Sequence, residues 1–115
     1  MTGVNPQHVS VGAMQVAYIE SGVGEPLVLI HGGESSRSQF RLFCPLLSPG
    51  IRSIAYDQRD TGDTVNSDES YDMSNLAADC AGFIEALGLK RAHVMGSSFG
   101  GGIALQVAIN HHAAL

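Results

Sequence analysis

A run of four consecutive apolar residues constrains the fold of this chain most. Leu27-Val28-Leu29-Ile30 is apolar at every position, which is typical of a strand covered on both faces, as in a parallel sheet flanked by helices. Further strand candidates follow at residues 51–56 and 92–95. Because strand and helix patterns alternate with short connections, the sequence predicts an α/β fold with a mostly parallel sheet and helices on both faces.

An antiparallel pair is predicted before the apolar strand, at residues 9–13 and 16–20, which are rich in β-forming residues. Helical spacing of apolar residues then predicts helices at 40–47, 73–87 and 103–109. Pro45 makes the first of these short or kinked. Asp72 or Ser74 is a candidate cap for the second helix and Gly88 suits the position just past its end. A glycine-rich turn is expected over residues 96–102.

Composition indicates one globular domain over residues 1–115, with 44% hydrophobic residues and no repeat or linker. Six Lys and Arg against 11 Asp and Glu give a charge of −5, and without a basic cluster neither nucleic acid nor an anionic membrane surface is an expected partner. Cys44 and Cys80 match no metal or redox spacing, which predicts buried free thiols and a reducing, cytoplasmic compartment. No apolar run approaches the roughly 18 residues of a membrane span, and no signal-peptide pattern begins the chain.

The segment Gly96-Ser97-Ser98-Phe99-Gly100 fits the pattern G-x-S-x-G and lies between a predicted strand and a predicted helix. A nucleophile in such a turn has a strained backbone, and small residues two positions before and after it let strand and helix approach. Gly96 and Gly100 meet that requirement for Ser98. A five-residue match also occurs in glycine-rich turns without a catalytic role, but the placement between strand and helix favours Ser98 as a nucleophile.

A second motif, His31-Gly32-Gly33, directly follows the apolar strand. Acyl transfer needs two donors aimed at the oxygen that becomes negative. The backbone N–H of Phe99 is one candidate, favoured by the positive end of the helix that follows. The N–H of Gly33 is the other, with Glu34 next in line. For His31 we expect a structural role that fixes the loop by hydrogen bonding.

A third, polar stretch covers residues 57–64 at the carboxyl end of a predicted strand. Ligand sites of open α/β sheets collect at that edge, so this loop is expected to border the pocket. We expect Arg59 to form an ion pair with Asp57 or Asp60 that holds the loop, a substrate contact being the alternative. The residues expected to border the pocket are His31, Glu34, Asp57 and Arg59.

Together these motifs resemble the α/β-hydrolase family over essentially all 115 residues. The resemblance places residues 31–33 in the oxyanion loop, 57–64 after the fourth strand and 96–100 at the nucleophile elbow. Arg-Asp-Thr-Gly at 59–62 is similar to the loop of aclacinomycin-methylesterase-type enzymes, although Asp60 replaces the commoner glycine. Serine at position 98 separates the chain from the dehalogenase and epoxide-hydrolase branches, which carry aspartate there. The resemblance implies a Ser-His-acid hydrolase of an ester or related acyl compound, without metal or organic cofactor.

A serine nucleophile needs a histidine to accept its proton and an acid to orient that histidine. His111 and His112 lie roughly 20 Å along the helix from Ser98, His93 lies about 16 Å back along the strand, and the others belong to different elements. In the family the acid and the histidine follow later strands. We therefore expect the N-terminal part, roughly the first half, of a larger hydrolase whose remainder is absent or supplied as another chain, and we expect the isolated chain to be inactive.

Other functions remain open at this point. A cofactor-free perhydrolase or haloperoxidase, a carbon–carbon bond hydrolase and a proline iminopeptidase share the same elbow. A non-hydrolytic ligand-binding relative would keep the fold and even the serine without turnover, and a truncated product could pair with other chains. A small-molecule ester or related acyl compound is the expected ligand, and its identity is left open because a cap inserted after these strands shapes the pocket in this family.

Overall fold

The computed structural model describes residues 5–47 and 49–115, and their elements alternate as the sequence predicts. The strands are β1 (Gln7–Val11), β2 (Met14–Ser21), β3 (Gly24–Ile30), β4 (Gly50–Tyr56) and β5 (His93–Gly96), and the α-helices are α1 (Met73–Ala86) and α2 (Phe99–Asn110). The strands form one sheet in the order β1-β2-β4-β3-β5. This arrangement confirms the predicted α/β class.

The strands β3, β4 and β5 run parallel and end at the same level. β3 pairs in parallel with both β4 and β5, while β1 pairs antiparallel with β2, and β2 antiparallel with β4. Ile30 at the end of β3 is in register with Tyr56 of β4 and Gly96 of β5. The loops that follow these three strands therefore begin side by side at the carboxyl edge of the sheet.

The two faces of the sheet are covered unequally. Both α-helices pack on one face, over a core that includes Val28, Ile54 and Phe83. The opposite face is covered by two short 3-10 helices, Arg37–Phe40 and Cys44–Leu46, which bury Phe40 and Cys44 against the sheet. Helices thus lie on both faces, as predicted.

The predicted helix at residues 40–47 was wrong in type, since the segment forms 3-10 turns. Pro45 lies in the first turn of the second 3-10 helix, where its missing N–H and its ring prevent an α-helix from continuing through it. The apolar spacing behind that prediction did not decide which residues are buried. Phe40 and Cys44 are 3% and 4% exposed, whereas Phe43 and Leu46 are 38% and 82% exposed. The two turns therefore bury residues 40 and 44 and leave residues 43 and 46 of the predicted apolar positions at the surface.

The first α-helix matches its predicted signals closely. Asp72 is the N-cap, its carboxylate accepting the Asn75 N–H at 3.1 Å while Asn75 Oδ1 accepts the Asp72 N–H at 3.0 Å. The helix ends at the cap residue Leu87, and Gly88 follows with φ of 77°, the left-handed position for which glycine is suited.

The second α-helix begins at Phe99, earlier than the predicted start at residue 103. Gly100 lies inside its first turn, and a Cβ on Gly100 would come within 2.2 Å of the Ile30 carbonyl oxygen. The helix therefore packs closer to β3 than any side chain allows. Of the three consecutive glycines that suggested a longer turn, Gly100 is the one that this contact requires.

Both cysteines are free and buried, as predicted. Burial raises the pKa of the Cys80 thiol to about 12, so the reactive thiolate form is disfavoured. Among the helices of the described residues, none combines the length and the apolar composition needed to cross a bilayer.

Candidate active site

The turn between β5 and α2 has the geometry of a nucleophile elbow. β5 ends at Gly96 and α2 begins at Phe99, so the chain reverses direction across two serines. The second of them, Ser98, has φ of 54° and ψ of −117°, a strained backbone conformation for a residue with a side chain. Ser98 is exposed, and the preceding Ser97 N–H donates to the Ile30 carbonyl oxygen at 3.0 Å, which ties the turn to the neighbouring strand.

Two glycines make this turn sterically possible. A Cβ on Gly96 would lie 2.0 Å from the Gly100 carbonyl oxygen, and a Cβ on Gly100 would lie 2.2 Å from the Ile30 carbonyl oxygen. The obstructing atoms are main-chain oxygens of packed elements, which cannot move aside as a flexible side chain can. The residues two before and two after Ser98 are therefore glycine for the reason that the motif predicts.

The loop after β3 lies against the elbow. The Cβ position of Gly32 is 3.6 Å from Ser98 Cβ, and that of Gly33 is 3.8 Å from Phe99 Cβ. Within residues 5–47 and 49–115, the N–H groups of Gly33 and Phe99 have no hydrogen-bond acceptor. The Phe99 N–H also lies at the positive end of α2. Two unengaged amides thus flank the serine.

The His31 ring is buried behind this loop and holds it. Its Nδ1 donates to the Gly32 carbonyl oxygen at 2.8 Å, and its Nε2 accepts the Gln58 backbone N–H at 3.2 Å. A backbone N–H can only donate, so Nε2 carries no proton and the ring is neutral. Burial, 1% exposure, lowers the pKa of His31 in the same sense. These bonds give His31 the loop-fixing role expected from the sequence.

The bond from His31 also orients the next amide. The described residues contain no cis peptide bond, and in a trans peptide the carbonyl and the following N–H point in opposite directions. Because His31 holds the Gly32 carbonyl, the Gly33 N–H of the same peptide unit points away from the ring. The candidate oxyanion donor is therefore aimed by a buried, neutral histidine.

Asp57 is the buried centre of the loop after β4. Its side chain has no solvent exposure and pairs with the Arg37 guanidinium. Its Oδ1 accepts the Arg37 backbone N–H at 2.7 Å, and its Oδ2 accepts the Asp63 backbone N–H at 2.8 Å. A Cβ on Gly62, where φ is 50°, would lie 2.1 Å from Asp57 Oδ2, so the loop closes tightly around the carboxylate.

The predicted ion pair of Arg59 with Asp57 or Asp60 was wrong. Arg59 forms two bonds with Asp79 of α1, at 2.7 and 3.0 Å, and its guanidinium lies 5.4 Å from the centre of the Tyr71 ring. Asp60 instead accepts hydrogen bonds from Asn66 and Tyr71, which lower its pKa. Asp57 is already engaged by Arg37, so Arg59 turns toward the helix.

The residues predicted to border the pocket lie in three different settings. His31 and Asp57 are buried and support the loops from behind. Glu34 is exposed beside Gly33, with φ of 56°. Arg59 is held against α1. A cleft of about 650 Å³ between α1 and the end of α2 includes none of these residues.

All five histidines lie within the described residues, and none offers a free nitrogen at the elbow. His31 is engaged on both sides of its ring. His111 and His112 follow the far end of α2, and His93 begins β5 at the end opposite Gly96. His8 lies on β1, four positions across the sheet from β5, about 19 Å at the usual strand spacing.

Sequence reasoning missed Arg37, Gln39, Gln58 and Asp79, which support the site. Of these, Gln58 lies within the polar stretch 57–64 but was not singled out, and Arg37 also had a usable signal. The chain has six Lys and Arg residues, so a carboxylate that directly follows a buried strand has few possible partners, and Arg37 follows the loop of the neighbouring strand. Nothing local to Gln39 or Asp79 distinguishes them from surface polar residues.

Comparison with known proteins shows which proteins this chain is similar to. The chain is 32% identical over 107 residues to 2-hydroxy-6-oxo-6-(2'-aminophenyl)hexa-2,4-dienoic acid hydrolase of Metapseudomonas resinovorans, covering 90% of this chain and 37% of that protein. It is 38% identical over 96 residues to 2-hydroxymuconate semialdehyde hydrolase of Pseudomonas sp. strain CF600, and the match covers 80% of this chain and 34% of that protein. An epoxide hydrolase structure from an endophytic Streptomyces superposes with a TM-score of 0.90 at 27% identity, covering all of this chain and 36% of that one.

The chain therefore spans between a third and two fifths of the length of these relatives. The sequence profile of the alpha/beta hydrolase fold matches residues 25–114, from β3 through the end of α2 and beyond. That range includes the elbow and both loops that meet it. On this evidence the chain belongs to the α/β-hydrolase family.

Proposed function

We propose that this chain carries the nucleophile and the oxyanion donors of a serine hydrolase that cleaves an ester or related acyl compound. The observation that carries the proposal is the positive φ of the exposed Ser98 in a strand-turn-helix elbow. The unengaged amides of Gly33 and Phe99 beside it support the same function, because a tetrahedral intermediate needs two such donors.

In the proposed reaction, Ser98 Oγ bonds to the acyl carbon while a base removes the hydroxyl proton. The carbonyl oxygen becomes negative and accepts hydrogen bonds from Gly33 and Phe99. The bond to the leaving group then breaks and the leaving group takes the proton from the base. Water, deprotonated by the same base, attacks the acyl-enzyme, releasing the acid and returning the proton to Ser98. These steps require no metal or organic cofactor.

The base and its orienting acid are proposed to come from outside these 115 residues, as a further segment or a second chain. The reason is geometric, because none of the five histidines presents a free nitrogen to Ser98. His31, which begins the loop that carries Gly33, uses both ring nitrogens for loop contacts. The 115-residue chain alone is therefore expected to give no turnover of an activated ester.

A carbon–carbon bond hydrolase is a second candidate, favoured by the names of the relatives. Four of the matched proteins are named as hydrolases of hydroxy-oxo-dienoates or of hydroxymuconate semialdehyde. Such a reaction would use the same serine and oxyanion donors, but the leaving group is a carbon that must be protonated. Comparing an aryl ester with a 2-hydroxy-6-oxo-dienoate as substrates separates the two candidates.

A fluorophosphonate probe on the complete gene product tests the nucleophile. We expect the probe to modify the peptide that contains Ser98, and Ser98→Ala to abolish both labelling and hydrolysis. Ser97→Ala is the matched control, because it removes a neighbouring hydroxyl and leaves the Ser97 backbone bond to β3 intact; it is expected to keep labelling. Undiminished labelling or hydrolysis in Ser98→Ala would overturn the proposal.

A further inference from the structure

Gln39 makes a contact with the oxyanion loop that no motif predicted. The backbone N–H of Gly32 donates to Gln39 Oε1 at 2.8 Å. The same Oε1 lies 3.7 Å from the Cβ position of Gly32, which is itself 3.6 Å from Ser98 Cβ. The side-chain amide of Gln39 therefore reaches from a different element to the loop beside the serine.

The segment that carries Gln39 is anchored on both sides. Phe40, the next residue, is 3% exposed in the core under the second face of the sheet. Arg37, at the start of the same 3-10 helix, is held to the buried Asp57 through both its backbone N–H and its guanidinium. An amide on a segment fixed in this way can hold a flexible loop in one position.

Gly32 needs such support because glycine has the widest backbone freedom of any residue. Two groups restrict it: Gln39 holds its N–H, and His31 holds its carbonyl oxygen at 2.8 Å. Both peptide planes that flank the Gly32 Cα are thus fixed. The second of those planes carries the Gly33 N–H.

We propose that Gln39 is a positioning residue, which aims the Gly33 N–H at the oxygen that becomes negative during acyl transfer; this rests on the function proposed above for Ser98. Gln39 touches the loop and acts through Gly33. Its removal should leave substrate binding largely intact and weaken an interaction made in the transition state. Such a loss lowers kcat and kcat/KM together and leaves KM nearly unchanged.

Gln39→Met in the complete gene product tests this assignment, because methionine has a similar length and only a weak acceptor. Deleting an oxyanion donor costs about 100- to 1000-fold in kcat, and loosening one should cost less, about 10- to 100-fold, with KM changed less than about threefold. Gln106→Met is the matched control: it makes the same chemical change on α2, away from the loop, and should preserve both parameters. An unchanged kcat in Gln39→Met, or a raised KM with unchanged kcat, overturns the assignment.

Amide hydrogen exchange supplies a readout that does not depend on activity. The Gly32 N–H should be protected in the wild-type protein, less protected in Gln39→Met, and again protected in Gln39→Glu, whose carboxylate can accept the same bond. A fast-exchanging Gly32 N–H in the wild type overturns the proposal even if Gln39→Met fails to fold. If Ser98→Ala keeps full activity, the proposed nucleophile fails, whereas the exchange pattern of Gly32 would still report on the Gln39 contact.

Discussion

The elbow after β5 and the loop after β4 meet at one edge of the sheet but are held by different forces. At the elbow, Gly96 and Gly100 permit main-chain contacts that any Cβ would block, at 2.0 and 2.2 Å. In the loop, Asp57 is buried and is satisfied by Arg37 and two backbone N–H groups. The elbow therefore depends on close main-chain packing, which requires that residues 96 and 100 have no side chain. The loop depends on a buried ion pair, which requires the side chains of Asp57 and Arg37.

The elbow should be the less tolerant of the two regions. Gly100→Ala would place a methyl group 2.2 Å from the Ile30 carbonyl oxygen and 2.6 Å from that of His31. Both oxygens belong to packed main chain and cannot move away. We therefore expect the free energy of unfolding to fall by at least about 3 kcal/mol, and the labelling of Ser98 to be lost. Chemical denaturation measures the first effect and the fluorophosphonate probe the second.

The control for that substitution lies one residue further along the helix. A Cβ on Gly101 would have no neighbour closer than 3.5 Å, and alanine is the better helix former, so Gly101→Ala should stabilise the protein by about 0.5 to 1 kcal/mol. Equal destabilisation by the two substitutions would show that α2 tolerates no alanine there, and the steric account of the elbow would fail.

The loop should lose less when its central charge is removed. Asp57→Asn keeps the shape of the side chain but leaves the Arg37 guanidinium with only Asp63 as a carboxylate partner. Breaking a buried pair from one side is costly, but Arg37 keeps its bond to Asp63, and we expect about 2 to 3 kcal/mol of destabilisation in urea unfolding. Asp63→Asn, whose side chain is 59% exposed, should cost less than about 0.5 kcal/mol. Similar costs for the two variants would mean that burial of Asp57 does not decide the strength of the network.

A smaller effect is expected where the loop meets α1. Arg59 and Asp79 form two hydrogen bonds with side chains 19% and 13% exposed, whereas Arg52 and Glu20 form one with side chains about 30% exposed. A double-mutant cycle with Arg59→Met and Asp79→Asn should give a coupling of about 1 kcal/mol, and the corresponding Arg52 and Glu20 cycle less than about 0.5 kcal/mol. A larger coupling in the Arg52 cycle would show that exposure is the wrong criterion for ranking these pairs.

The difference between local and long-range contacts explains which features could be predicted from the sequence. The elbow was predictable from five consecutive residues, because its requirement for small side chains is local. The start of α2 was predicted too late for a related reason: Gly100 favours a turn by propensity, but its contact with β3, 70 residues away in sequence, places it in a helix. The packing of Gly100 against β3 therefore outweighed its low helix propensity.

Charge pairing was the least predictable feature. Asp57 lies closer in sequence to Arg59 than to Arg37, yet the structure pairs it with Arg37. The choice depends on which strand loops lie side by side, a property of the strand order that the local sequence does not contain. The loop positions were predicted from the carboxyl-edge rule, while the partners needed the three-dimensional arrangement.

The smallest expected difference between the elbow and the loops is in their response to pH. The elbow has no titratable side chain, whereas the loops after β3 and β4 both contact His31. Burial lowers the pKa of His31 below its ordinary 6.5, so on acidification the unfolded chain binds a proton at this position before the folded chain does. Stability should therefore fall as the pH drops from about 7 through the folded-state pKa of His31. Asp60 and Asp72 have pKa values lowered from 3.8, so their contributions are lost only in more acidic solution.

Thermal unfolding between pH 5 and pH 7.5 separates His31 from the rest of the molecule. His31→Asn removes the titrating ring and should flatten the pH dependence in this window, whereas Gly101→Ala, which changes only the helix behind the elbow, should keep the wild-type slope. If His31→Asn retains the wild-type slope, the neutral ring does not control loop stability. The loop after β3 would then be held mainly by the Gln39 contact with the Gly32 N–H, and the Gly33 N–H would have lost one of its two supports.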